Sequence, residues 1–224
     1  MNYGVFATQL NRAHVVLRRL GLIADRVIAP PYARYSASDF RNKPYLEIWR
    51  KCFDDRLFDF RLKDDSLLQF RATFSPLIVS YTYYECPFLP LVSLEDYLDQ
   101  ERAAKGDEVD DYDLLREYDL LGPVLKPATT PARYDYAPHI YEEGVHPASH
   151  IHFGHGGHIR LGTKRILRPL SFLLFVIRQY YPDEWRSLIG RGDAGMICRN
   201  VSENLDLVAQ AHIRPLDALE MYLS

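Results

Sequence analysis

Apolar positions in this chain follow two periods, and each period marks a different kind of element. Phe6, Leu10, Ala13, Leu17 and Leu20 recur at steps of four and three, the spacing of one helix face, and Gly21 is placed to end that helix. Residues 1–21 therefore predict an N-terminal helix. After Pro30 and Pro31, residues 45–85 are rich in aromatic and β-branched side chains and are punctuated by Asp54-Asp55, Asp64-Asp65 and Ser75-Pro76, which predicts a four-stranded antiparallel meander. In its second strand Phe58, Phe60 and Leu62 alternate with Asp59 and Arg61, as expected when one face packs on a core and the other meets water.

Ser93 followed by Asp96 is a capping signal that opens an acidic helix and loop over residues 93–120, with fraying expected near Gly106. Residues 123–131 read as a stiff connector. Strands are then expected over 133–140 and 149–161, around the turn Gly154-His155-Gly156-Gly157. Pro169 starts a nearly all-apolar helix that Pro182 stops, and its run from Phe172 to Ile177 marks it as a buried spine. Trp185, Leu188 and Ile189 continue that packing toward Gly190, so helices are expected over 169–190; the tail, 205–223, is apolar enough to be ordered as helix or strand. Together these elements predict one α+β domain over residues 1–224: an antiparallel β-meander with a histidine-bearing hairpin at 133–161, packed against a buried helix.

Composition adds limits. At 224 residues and 47% hydrophobic, the chain is long enough to bury one substantial core. The net charge of −3 argues against a protein that coats nucleic acid nonspecifically. It also conceals an internal asymmetry: residues 85–119 carry twelve acids against three bases, whereas residues 159–199 carry eight bases against three acids. Cys52, Cys86 and Cys198 have no metal-type spacing and are odd in number, so neither a zinc ribbon nor a disulfide framework is indicated. No apolar run approaches the roughly 20 residues that span a bilayer, and residues 1–20 lack a secretory pattern, so no membrane association and a cytoplasmic location are expected.

Chemistry concentrates in one segment. Of eight histidines, six (His139, His146, His150, His152, His155 and His158) fall between residues 139 and 158. On a strand, positions two apart share a face, so His150 and His152 project together while Ile151 and Phe153 point the other way. A hairpin that pairs Gly154 with His158 sets Arg160 opposite His152 on that face. Two chemistries suit such a face. Two imidazoles and an arginine can perform acid/base catalysis on a phosphodiester, with Asp135 or Glu142 orienting a ring. Alternatively, neutral imidazoles with a carboxylate such as Asp135 can hold zinc or manganese, His150 and His152 being the candidate ligands. His139, His146, His158, Lys164 and Arg165, with Arg168 beside them, are candidate substrate contacts. His14 and His212 sit alone in apolar contexts and read as structural.

The run Arg133-Tyr134-Asp135-Tyr136-Ala137-Pro138-His139, then His146-Pro147-Ala148-Ser149-His150-Ile151-His152-Phe153-Gly154 and Arg160, resembles the signature of a bacterial family, domain of unknown function 2290. More distantly, Asp135, Pro138, His139, Pro147, His150 and His152 resemble the spaced residues of TumE-type toxins of toxin-antitoxin modules, although Tyr136 stands where a polar residue is expected and Ala148-Ser149 is inserted. That resemblance implies a bacterial defence or toxin-type effector acting on nucleic acid and restrained by a partner. The expectation is thus a histidine-dependent phosphodiesterase or nuclease-like site. The alternative is a noncatalytic subunit that binds a protein from a neighbouring gene, an ATPase or an antitoxin.

Overall fold

The computed structural model describes residues 1–28, 40, 42–90, 92–105, 110–156, 159–190 and 205–219. The chain divides into two compact units, one comprising Met1–Glu85 with Thr130–Ser224 and the other Cys86–Thr129.

The larger unit is built on seven strands: β1 (Ile23–Arg26), β2 (Phe60–Leu62), β3 (Leu67–Phe74), β4 (Leu77–Tyr84), β5 (Ala132–Tyr136), β6 (Ser149–Phe153) and β7 (Ile159–Gly162). They lie in one sheet in chain order, and every neighbouring pair is antiparallel. This is the expected α+β meander. One face carries Phe70, Tyr81, Tyr134 and Ile151, all fully buried. Against that face pack α1 (Tyr3–Arg19), through Phe6, and α5 (Pro169–Tyr180), through Phe172. The rings interlock at 5.2 Å for Phe70 and Tyr81, 5.6 Å for Tyr81 and Tyr134, and 5.8 Å for Tyr81 and Phe172. α5 starts at Pro169, with the Ser171 hydroxyl accepting from the Arg168 backbone N–H at 2.7 Å. Leu170, Phe172, Leu173, Leu174, Val176 and Ile177 are buried, as the all-apolar run predicted. Pro182 does more than stop α5, because it also opens α6 (Pro182–Gly190). In α6 Leu188 is buried but Ile189 is exposed, which corrects the expectation that both pack inward.

Gly21 ends α1 in the left-handed region, at φ +69, while the Leu22 N–H donates to the Leu17 carbonyl at 3.0 Å. A Cβ at Gly21 would meet nothing nearer than the flexible end of Lys63, at 3.9 Å, so only backbone conformation opposes a side chain there. Gly21→Ala is expected to cost about 1–2 kcal/mol in urea unfolding; an unchanged midpoint would show that the turn relaxes freely.

Residues 45–54 overturn the four-stranded reading of 45–85. They form a helix, α2 (Tyr45–Asp54), with Ile48, Trp49 and Cys52 buried on one face. Aromatic and β-branched composition misled here; the steps of one and three between those positions are helical. Lys51 and Asp55, one turn apart, pair at 2.6 Å at its end. Three strands follow rather than four. Asp59 also departs from expectation: it is buried and not hydrated, accepting the Phe70 N–H at 2.7 Å with Arg71 at 3.6 Å.

The smaller unit holds the acidic helices α3 (Leu94–Lys105) and α4 (Asp111–Asp119). Ser93 caps α3 by accepting the Asp96 N–H at 3.0 Å, as predicted, and Asp110 caps α4 by accepting the Tyr112 N–H. Lys105 pairs with both Glu101 and Glu117 at 2.8 Å, offsetting part of the acidic excess. The expected fraying near Gly106 lies outside the described residues. No helix among the described residues is long and apolar enough to cross a membrane.

Candidate metal centre

The second face of the sheet is polar, and register lines its groups up. Ser80 on β4 lies opposite Asp135 on β5, Asp135 opposite His150 on β6, Arg133 opposite His152, and His152 opposite Arg160 on β7. Partners across a ladder share a face. The pleat therefore gathers Ser80, Arg133, Asp135, His150, His152 and Arg160 on the side away from α1 and α5. The expected juxtaposition of His152 and Arg160 is present.

His150 and His152 are 1% and 4% exposed. Their Nε2 atoms approach to 2.8 Å, and His152 Nε2 lies 3.3 Å from Asp135 Oδ2. Donor atoms of Asp135, His150 and His152 all fall within 4.8 Å of one another. His150 Nδ1 is 2.7 Å from the Pro147 carbonyl. A carbonyl only accepts, so Nδ1 carries the proton and the neutral ring presents its Nε2 lone pair to the cluster. Asp135 is held from two further sides, by the Ser80 hydroxyl at 2.7 Å and Arg133 Nε at 2.8 Å.

Electrostatics set the protonation states. Burial lowers the His150 ring to about 4, and the neighbouring His152 adds to the effect against the opposing pull of Asp135. Burial acts to raise the Asp135 carboxyl, but the hydrogen bond from His152, the Arg133 charge and the Ser80 hydroxyl outweigh it and hold it at about 2. At neutral pH the cluster thus offers an ionised carboxylate beside a neutral imidazole. His146 is lowered as well, by burial and then by the charge of Arg160.

The loop between β5 and β6 adds His146. A 3-10 turn, Pro138–Ile140, and a bridge between Glu142 and His146 fold the loop back, bringing the His146 ring to 4.7 Å from His150, edge to face. His146 Nδ1 is buried without a hydrogen-bond partner among the described residues. Asp217 pins the loop by accepting from the Tyr141 hydroxyl at 2.6 Å and the Gly144 N–H at 2.8 Å.

Asp135, His150 and His152 form a group that could hold a metal ion. The two imidazoles face each other at contact distance, with ring centroids 4.5 Å apart. The 2.8 Å between the two imidazole nitrogens is a hydrogen-bond distance, and the three donor atoms are close enough together to be candidate ligands of one ion.

Several candidate residues land elsewhere. His139 and Lys164 are exposed. Arg165 donates to the Leu205 carbonyl at 3.3 Å, and Arg168 lies 3.4 Å from Asp206, so both are engaged by the C-terminal segment and not by the cluster. Glu142 is exposed, and it is Asp135 that orients His152. His158 lies outside the described residues. His14 accepts from Arg26 at 3.0 Å and stacks on Phe60, and His212 packs edge-on against Tyr141; both fit structural roles. Sequence reasoning missed Arg133 and Ser80. Arg133 was findable, two residues before Asp135 on one strand face, whereas only the pairing of β4 with β5 reveals Ser80.

No curated protein and no solved structure matches this chain. The family model described as uncharacterized conserved protein DUF2290 matches residues 23–224, nearly the whole chain, and the protein belongs to that family.

Proposed function

We propose that this protein is a divalent-metal-dependent phosphodiesterase of the nuclease type, with its ion held by Asp135, His150 and His152. The observation that carries this reading is the convergence of one carboxylate and two imidazole nitrogens, with Asp135 ionised and His150 neutral at neutral pH. An ion there would polarise a phosphoryl oxygen and lower the pKa of a bound water. The protein's own part is to orient and to neutralise. Pro147 fixes the His150 tautomer, and Ser80 and Arg133 fix the Asp135 carboxylate. Arg133, half-exposed, and Arg160, exposed opposite His152, offer positive charge to a phosphodiester at the rim. Water adds to phosphorus, the ester P–O bond breaks, and the departing oxygen takes up a proton. The net change is addition of one water.

The wider role proposed is that of a cytosolic effector in a bacterial defence or toxin system, supported by the likeness of Asp135, His150 and His152 to the spaced residues of TumE-type toxins. A second reading, a noncatalytic subunit that binds a protein partner, is favoured by the apolar surface of the smaller unit, where Tyr112 and Leu120 are 71% and 78% exposed.

The test uses chelator-stripped protein titrated with manganese or zinc and assayed on single-stranded RNA and DNA oligonucleotides. One ion bound per chain, with cleavage that appears on metal addition and disappears with chelator, is expected. Protein that binds neither ion and cleaves neither polymer would overturn the metal reading and favour the partner-binding one.

A further inference from the structure

Beside the cluster, on the same polar face, lies a cavity of about 590 Å³, a size typical of small-molecule sites. Its walls come from separate parts of the larger unit: Tyr45 and Ile48 from α2, Thr82 and Tyr84 from β4, Arg133 from β5, and His155 from the turn after β6. Tyr45 and His155 meet edge to face at 5.7 Å, and the His155 ring is fixed by a bond from Nε2 to the Lys43 carbonyl at 2.7 Å. Gly154, His155 and Gly156, in the turn read from the sequence, therefore supply a wall of this cavity.

Arg133 joins the cavity to the metal centre. Its Nε donates to Asp135 Oδ2, and it makes no further hydrogen bond among the described residues. One guanidinium thus lines the cavity and touches the carboxylate of the cluster. We propose that the cavity is a nucleotide site, in which a base stacks on the aromatic walls and its phosphate is held by Arg133 beside Asp135, His150 and His152. Aromatic walls with a cation at one end match a planar π-system joined to an anion. A purely apolar ligand would leave the remaining N–H groups of the Arg133 guanidinium unused, and a sugar phosphate alone would leave the rings unused. The inference gives the substrate class of the proposed phosphodiesterase and rests on that reading for the reaction, but not for the binding.

Calorimetric titration of the full chain, in chelator, with the four ribonucleoside 5′-monophosphates and with ribose 5-phosphate tests it. At least one nucleotide is expected to saturate the protein, with ribose 5-phosphate weaker by about tenfold or more, the worth of one base–aromatic stack. Tyr45→Ala and His155→Ala are each expected to weaken the nucleotide by about tenfold, and His155 is exposed, so its loss leaves the core intact. A single-stranded tetranucleotide that binds more tightly than its mononucleotide assigns the site to the end of a polymer; equal or weaker binding assigns it to the free nucleotide, and both outcomes uphold base-plus-phosphate recognition. No saturation by any nucleotide at about 1 mM, or ribose 5-phosphate binding as well as the nucleotides, would overturn it. Binding without any metal-dependent cleavage keeps the cavity and removes the hydrolase, whereas cleavage without mononucleotide binding does the reverse.

Discussion

His150→Asn and Asp135→Asn are each expected to lower divalent-metal affinity by about a hundredfold or more, since even partners outside the ligand set cost about 10–100-fold, and to abolish oligonucleotide cleavage. The two substitutions remove a ligand while keeping most of the volume. The asparagine amide at position 150 stands near the place of Nδ1 and can still donate to the Pro147 carbonyl, and asparagine at position 135 can still accept from Ser80. Circular dichroism and the unfolding midpoint should therefore stay near those of the native chain, which separates loss of ligation from loss of fold. Arg133→Gln provides the contrast. Arg133 contacts the carboxylate but is not itself a metal ligand, so the ion should be retained while cleavage falls by about a hundredfold, the usual loss when one transition-state charge partner is removed. Native metal stoichiometry in both ligand variants would sink the assignment. Unfolding of both would instead mark the buried histidines as structural.

A second large effect is expected at Asp217, far from the cluster in sequence. Its buried carboxylate accepts from the Tyr141 hydroxyl, the Gly144 N–H and the Arg214 N–H, between 2.6 and 2.8 Å. Asp217→Ala leaves three donors without their acceptor and should cost on the order of 3 kcal/mol in urea unfolding at pH 7, because hydrogen bonds to charged groups contribute about 1.5–3 kcal/mol. The loss should also loosen the loop that carries His146 toward His150. Burial acts to raise this carboxyl, but the Arg214 N–H, the Tyr141 hydroxyl and the Gly144 N–H outweigh it, so its pKa lies below the usual range. The sign follows. An unfolded chain takes up the proton first, near about 3.9, so the contribution is complete above that pH and is lost as pH falls through the lower folded value. The gap between native and Asp217→Ala unfolding free energies should therefore narrow from pH 7 to pH 3. A gap that does not change with pH would show that the carboxylate charge contributes nothing.

What was legible in the sequence was local. The stripe from Phe6 to Leu20 and the apolar run between Pro169 and Pro182 specified two helices, because a helix face repeats within a few residues. The same local logic placed His150 and His152 on one strand face, and the glycine turn set the register that brings Arg160 opposite His152. Where two local signals competed, over residues 45–54, composition favoured a strand and spacing favoured a helix. Burial of Ile48, Trp49 and Cys52 on a single face decided for the helix.

The convergence of Asp135, His150 and His152 needed the fold. Asp135 and His150 are fifteen residues apart, yet the ladder between β5 and β6 makes them neighbours. Ser80 reaches Asp135 across a separation of 55 residues, and Asp217 reaches the loop before β6 across 73. No periodicity encodes such pairings, because strand register is set by which side chains the core accepts on the opposite face. Sequence by itself determined which side chains could do chemistry and that two of them share a face. Tertiary structure decided that the two imidazoles meet each other beside a carboxylate, because burial and ladder pairing, not chain order, fix where their nitrogens converge.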